Sequence, residues 1–336
     1  MRKLLRKLSG AGSGKIIRST DMKAVLIDKV TPAENVALSE IPVPSVRPGW
    51  VLVKIRGFGL NHSEQILRMS EISASYIQKP VVPGIECVGE IEDPSDSALK
   101  KGQKVMALMG GMGRSFNGSY EEYALLPLHH VFPVETKLSW EELAAVPETY
   151  FTAWGSLFEC LHLNSNDTLL IRGATCALGY AAIQIAKALG CHVIATTHRK
   201  EKLELIKEAD EQVLDDGTLT GKIHGVTKAL DLIGPKYLKD TLTAVEKGAI
   251  VCQTGILGGI YALNGFDPIK DIPNGVYLTG FFSNYPTQQV MNEITAFLDE
   301  HELKPCYGAV YGFENIREAL IAMDTHKVNG KIVVTL

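Results

Sequence analysis

The stretch IRGATCALGYAAIQIAKALG, residues 171–190, constrains the fold more than any other part of the chain. An apolar run passes through a small-residue turn straight into an Ala-rich helical segment, and Gly190 is placed to end that helix as its C-cap. The rhythm then repeats. DTLLIRG, CHVIATT, EQVLDD, KALDLIG, GAIVCQTG and GVYLTGFF read as six apolar strands, with KEKLELIKEA as a helix between the second and third. Strands alternating with helices require right-handed crossovers, and so a parallel, doubly wound α/β sheet, expected over residues 148–285.

Residues 22–147 follow a different rule. Short apolar runs (KAVLI, WVLVKIRGFGL, VVPGIECVGEI, QKVMAL, YEEYALL) alternate with turns, and Pro42, Pro44, Pro48, Pro80, Pro83 and Pro94 punctuate them, as in a small irregular barrel. The segment SWEELAAVPETYFTAWGSLFECL turns helical, and Ser139 with Glu142 has the spacing of a capping box. Residues 286–336 read as two helices and a final strand that return to the first domain. A chain of 336 residues accommodates these two domains.

Charge separates residues 1–21 from the rest. Arg2, Lys3, Arg6, Lys7, Lys15 and Arg18 precede the first acid, Asp21. Without those six, 28 basic side chains face 38 acidic ones, so the body carries a net charge of −10, which disfavours nucleic-acid binding. The basic start reads as a disordered leader or an overcalled start, with a presequence or membrane-surface helix as the alternative. The six cysteines, at 87, 160, 176, 191, 252 and 306, form no CxxC pair, which argues for reduced thiols in a cytoplasmic protein. No apolar run reaches the ~18 residues of a membrane span.

The turn in the opening stretch is a weak match to G-x-G-x-x-G. With Gly179 in the third place, Ala174 and Cys176 stand where the first two glycines belong. Its context, a buried strand before and a helix N-terminus after, suits a diphosphate, although a plain strand-to-helix connection remains open on spelling alone. The next strand discriminates. It ends Ala195-Thr196-Thr197-His198-Arg199-Lys200, with no acid before Glu201 to grip a ribose 2′-hydroxyl. Hydroxyl and basic groups there suit a 2′-phosphate, so the expected cofactor is NADPH.

Several pieces in order, GFGLNHSE, PGIECVGEI, GSYEEYALLP, the TAW after Pro147, GATCALG and the closing NGKIVV, resemble the medium-chain dehydrogenase/reductase superfamily over nearly all of residues 22–336. The likeness is greatest to its zinc-independent quinone oxidoreductase branch. It implies an N-terminal GroES-like β-rich substrate domain and a Rossmann NADP-binding domain. Zinc-dependent relatives use a Cys and the His of a Gly-His-Glu motif as metal ligands. Here Asn61 and Ile85 stand at those places, Glu86 is retained, and the four-cysteine structural lobe has no counterpart, so no metal is expected. His62 is expected as a pocket-wall residue rather than a ligand.

Without a Lewis acid, hydride transfer is expected to an electron-poor carbon, as in a quinone or an α,β-unsaturated carbonyl. The resemblance places Asn61 near the nicotinamide, its amide donating to the developing oxyanion. It assigns Thr152 to the nicotinamide, and Thr175, Cys176, Ala177, Leu178 and Gly179 to the pyrophosphate. Thr197, His198, Arg199 and Lys200 would surround the 2′-phosphate. Gly255 and Phe281 would lie at the ends of the fifth and sixth strands, and Asn329 and Lys331 would approach the cofactor. Arg114, in the Gly-rich loop 110–123, is a candidate for orienting substrate beside His62. Ile66 stands where some quinone reductases have a Tyr, so no proton donor is named. The resemblance also implies a homodimer through GVYLTGFF. Two rivals stay open: an enoyl-thioester reductase, and a low-turnover NADPH-binding protein that senses redox state through Cys176.

Overall fold

The computed structural model describes residues 21–336; the basic leader, residues 1–20, lies outside the described part. Six parallel strands form the second domain's sheet in the spatial order Glu211–Leu214, His192–Thr197, Thr168–Arg172, Lys228–Asp231, Ile250–Gln253, Tyr277–Gly280. The chain starts in the middle, works out to one edge and returns to work out to the other. Such a sheet is covered on both faces, which is why its strands read as continuous apolar runs rather than alternating ones. Leu169, Ile171 and Val193 face one core, with helices Pro147–Trp154, Ala177–Leu189 and Gln288–Glu300 packed over them; Leu170, Ile194 and Val251 face another.

The first domain is built on a seven-stranded, mostly antiparallel sheet. Trp50–Gly59 is central, flanked by Glu86–Asp93 on one side and Lys331–Thr335 on the other, with Tyr123–Pro127 also pairing to it. Asp21–Val25 and Leu38–Pro42 form a separate two-stranded ribbon. Of the expected return over residues 286–336, only the later part joins the first domain: Tyr307–Gly312 and Lys331–Thr335 complete its sheet and the helix Ile316–Asp324 enters its core, whereas Gln288–Glu300 packs on the second sheet.

Local structure departs from the sequence reading in two places. KEKLELI forms only a 3-10 segment, Lys200–Ile206, in place of an α-helix, because too few apolar side chains on it face the sheet: of its residues only Ile206 is buried. Tyr307–Gly312 is a strand that the sequence concealed behind Gly308 and Gly312. It runs parallel to Lys331–Thr335 at the sheet edge, where half-exposure needs no apolar run. The expected capping box at Ser139 is present, with reciprocal bonds of 3.2 and 2.9 Å to Glu142. Gly190 has the left-handed conformation expected of a C-cap, φ 91°.

Candidate functional site

The turn after Thr168–Arg172 is shaped by close backbone approach. A Cβ on Gly179 would lie 2.2 Å from the Ala174 carbonyl oxygen, so only glycine lets the helix pack this tightly against the turn. Cys176 is the helix N-cap. Its Sγ accepts from the Gly179 N–H at 3.4 Å and lies 3.7 Å from the Gly173 carbonyl. The sulfur thus turns inward along the helix start, where the free end of the helix favours an anion. Burial raises the Cys176 thiol above its usual pKa, so it is a neutral cap rather than a reactive thiolate. Thr175 ties the turn to the next strand through its hydroxyl, 3.2 Å from that of Thr197. The cradle, closed by a glycine that nothing larger can replace, fits a dinucleotide diphosphate.

At the end of His192–Thr197 the four basic-end residues divide. Thr197 is buried, its hydroxyl taken by Thr175 and by the Arg199 N–H, so it supports the loop from beneath instead of lining a phosphate site as expected. His198, Arg199 and Lys200 are exposed, and none of them forms an ion pair among the described residues; Arg199 Nε only contacts His198 Nε2 at 3.4 Å. Burial, and then the Arg199 charge, pull the neighbouring Lys202 ammonium below its ordinary pKa. These basic side chains, exposed and without an ion pair among the described residues, make a locally positive surface.

Between the domains lies a buried polar floor. Trp50–Gly59 delivers the chain to Asn61, which caps the helix His62–Met69 with its N–H donating to Glu64 Oε2 at 2.6 Å. Lys331 Nζ, at the start of the last strand and 3% exposed, reaches Glu86 Oε1 and Asn61 Oδ1, both at 2.6 Å. Asn61 Nδ2 donates to the same Glu86 oxygen at 2.8 Å. Glu86 Oε2 accepts the backbone N–H of Glu148 at 2.7 Å, which joins the first sheet to the helix Pro147–Trp154. Gly59 makes room for this cluster: a Cβ there would lie 2.1 Å from Lys331 Cε and 2.6 Å from Glu86 Oε1. Glu148 Oε1 accepts from Thr152 Oγ1 at 3.1 Å and from Ser283 Oγ at 2.6 Å. Burial pushes Glu64 up to about 7 and Glu148 up to about 8, with the Glu86 charge adding to both.

Three sequence expectations change here. The Asn61 amide is engaged on both sides, by Glu86 and Lys331, and so is not a free oxyanion donor. The Lys331 ammonium is held within the floor by Glu86. Arg114 is anchored: its guanidinium makes three bonds of 3.0, 3.2 and 2.8 Å to the Glu71 carboxylate and others to Ser63, so it clamps the loop 110–123 to the helix His62–Met69 and the turn after it. Long-range pairing of this kind leaves no mark in sequence spacing. His62 is exposed at the first helical position. No group of three or more His, Cys, Asp or Glu among the described residues is arranged to hold a metal ion.

The remaining assignments fall around the turn and floor. Gly255, two residues past Ile250–Gln253, has space for no Cβ, which would lie 2.3 Å from the Leu232 carbonyl oxygen. Phe281 follows the edge strand, and its ring packs edge-on to Phe151 and fills the place of a side chain at Gly155. Asn329 is exposed, next to Gly330, which lies over the Tyr180 ring in the first turns of the cofactor helix. Glu148 and Ser283 were missed by sequence reading. Their only signals were an acid directly after Pro147 and a hydroxyl after two phenylalanines.

Residues 177–300 match the zinc-binding dehydrogenase family, and residues 47–136 match the alcohol dehydrogenase GroES-like domain, together more than half of the chain. The chain belongs to the medium-chain dehydrogenase/reductase superfamily. As in that superfamily, a GroES-like domain precedes a Rossmann-like parallel sheet. Human quinone oxidoreductase is 29% identical to it over 89% of this chain and 92% of its own length. The structure of the Bacillus subtilis protein yhfP with NAD bound is 25% identical, covers 95% of this chain and all of its own, and superposes with a TM-score of 0.81. That of AibC reaches 0.84 over 98% of this chain and 99% of its own at 21% identity. This superfamily member is therefore an oxidoreductase, similar in sequence to quinone oxidoreductases. No helix among its described residues is long and apolar enough to cross a membrane.

Proposed function

We propose that the protein is an NADPH-dependent reductase that transfers hydride to a quinone or an α,β-unsaturated carbonyl without zinc. The observation that carries this reading is the floor. Lys331 places its Nζ between Asn61 and Glu86, and the Ile85 side chain offers only hydrocarbon, so the donor set suits an ammonium and not Zn²⁺. The unpaired His198, Arg199 and Lys200 support NADPH over NADH, since three donors without an acid match a 2′-phosphate. NADPH, when bound, supplies the hydride; the chain's task is to hold the acceptor against it and to manage a proton. Electron-poor acceptors delocalise the incoming charge, so they depend less than a simple ketone does on a metal to polarise the carbonyl.

Cys176 gives little support to a redox-sensing role, because its sulfur is the helix cap and burial keeps it protonated. The enoyl-thioester rival has no residue to favour it. A homodimer joined through Tyr277–Gly280, the free edge of the sheet, belongs to the same proposal, and so does a cytoplasmic location, in keeping with six unpaired cysteines. The test is NADPH oxidation with quinones, enals, enones and enoyl-CoAs, with and without chelator. Turnover of quinones or enones unaffected by chelator is expected. Chelator-sensitive alcohol oxidation would overturn the zinc-free assignment, and tight NADPH binding with no acceptor reduced would favour a binding role.

A further inference from the structure

Three carboxyl groups, the buried Glu64 and Glu86 and the half-buried Glu148, share the floor with one ammonium, Lys331. Lys331 neutralises Glu86 at 2.6 Å, and Glu64 accepts the backbone N–H groups of Asn61 and Ile85. Glu148 has neither a charge partner nor a full set of donors. Its Oε1 takes two neutral hydroxyls, Thr152 and Ser283, and its Oε2 is buried with no hydrogen-bond partner among the described residues. A buried carboxylate with a bare oxygen is costly, whereas a carboxylic acid in the same place is not. The charged groups that face it are Glu86, which opposes its ionisation, and Lys331, which favours it but is already held by Glu86. Geometry and charge count agree that Glu148 holds a proton near neutral pH.

The two hydroxyls differ in access. Thr152 is buried within its helix, whereas Ser283 is partly exposed, on the loop that leaves the edge strand beside Phe281. We propose that Glu148 is the proton reservoir of the site and that it protonates the reduced acceptor through the Ser283 hydroxyl. This rests on the reading that the protein reduces an electron-poor carbonyl compound. Hydride brings two electrons to the acceptor carbon and leaves an enolate or hydroquinone oxyanion. For this the Glu148 proton sits on Oε1 and Ser283 Oγ accepts it across the 2.6 Å contact, with the Ser283 hydroxyl turned from the carboxyl to the oxyanion. Ser283 then gives its hydroxyl proton to the oxyanion and takes the Oε1 proton of Glu148 in its place. Glu148 is left as a carboxylate and recovers a proton from water, so one hydride and one proton are added in all. Ser283 is the group that meets the substrate, Glu148 acts through it, and Thr152 holds the carboxyl in orientation.

Two measurements test this. Infrared spectroscopy of the protein without NADPH should contain a protonated-carboxyl band that titrates near pH 8 and is lost in Glu148→Gln. The wild-type single-turnover rate with a quinone should fall as pH rises through about 8. Glu148→Gln should lower that rate about 100-fold and remove the fall, with NADPH affinity unchanged. Ser283→Ala should match it, and Ser283→Thr, which keeps the hydroxyl, should restore both. A Glu148 band already ionised at pH 6, or a pH fall that persists in Glu148→Gln, overturns the proposal. If the band titrates as expected but the wild type reduces no quinone, enal or enone, the reduction reading fails instead.

Discussion

Lys331 is the residue on which the floor depends. Its ammonium is the one positive charge beside Glu86 and Glu64, and both it and Glu86 are almost wholly buried. Removing one partner of a buried pair leaves the other uncompensated, so Lys331→Met should destabilise the protein by about 3–5 kcal/mol, measured by urea denaturation at pH 7. Glu148 and Glu64 act in the opposite sense. Their folded pKa values, about 8 and about 7, lie above the unfolded carboxylate range near 4.5. Below that range both states are protonated and nothing is lost. As pH rises, the unfolded chain ionises first, and stability falls until the folded groups ionise too. Glu148→Gln should therefore raise Tm at pH 8, by a free energy on the order of a few kcal/mol, and leave it unchanged at pH 4. Equal Tm differences at both pH values would contradict a raised Glu148 pKa. None of this was legible from the sequence, where Glu148 is one acid among many.

Among elements, the cofactor turn was the most legible and the next loop only partly so. A strand, a small turn and a helix with Gly at its third motif position are local features, and the Ala174 carbonyl 2.2 Å from a Gly179 Cβ gives that glycine its reason. Gly179→Ala should force helix and turn apart and weaken NADPH binding, as read by quenching of intrinsic fluorescence on titration. In the proposed reading, Arg199 and Lys200 meet the 2′-phosphate of the same cofactor. Replacing both with Ala should weaken NADPH by roughly tenfold or more while leaving NADH little changed, since charge-assisted bonds to phosphate are what is lost. Equal losses for the two cofactors would sink the 2′-phosphate assignment. The basic run was visible in sequence, but the burial of Thr197 was not, because it depends on a partner, Thr175, 22 residues earlier. The strand Tyr307–Gly312 was invisible for a related reason: its order comes from pairing with Lys331–Thr335, not from its own apolar content.

At the scale of the whole molecule, the second sheet ends in a free edge. Tyr277–Gly280 pairs on one side only, and Tyr277, Phe282 and Tyr285 around it are 61, 70 and 75% exposed. An unpaired edge flanked by exposed aromatic rings is suited to pairing with a second copy. Leu278→Pro should remove an edge hydrogen bond and turn a dimer into a monomer, as read by light scattering; an unchanged mass would contradict this interface. The sequence by itself determined the alternation of strands and helices, the β-rich first half, the turn that suits a diphosphate and the basic residues beyond it. Each of these is written in neighbouring residues, through apolar periodicity and the steric needs of a turn. Only the tertiary structure decided that Asn61 and Lys331 face each other rather than a ligand, that Arg114 is a clamp, and that Glu148 meets Ser283. Those contacts join residues 270, 43 and 135 positions apart, and no local rule of chain conformation records which distant groups a fold will bury together.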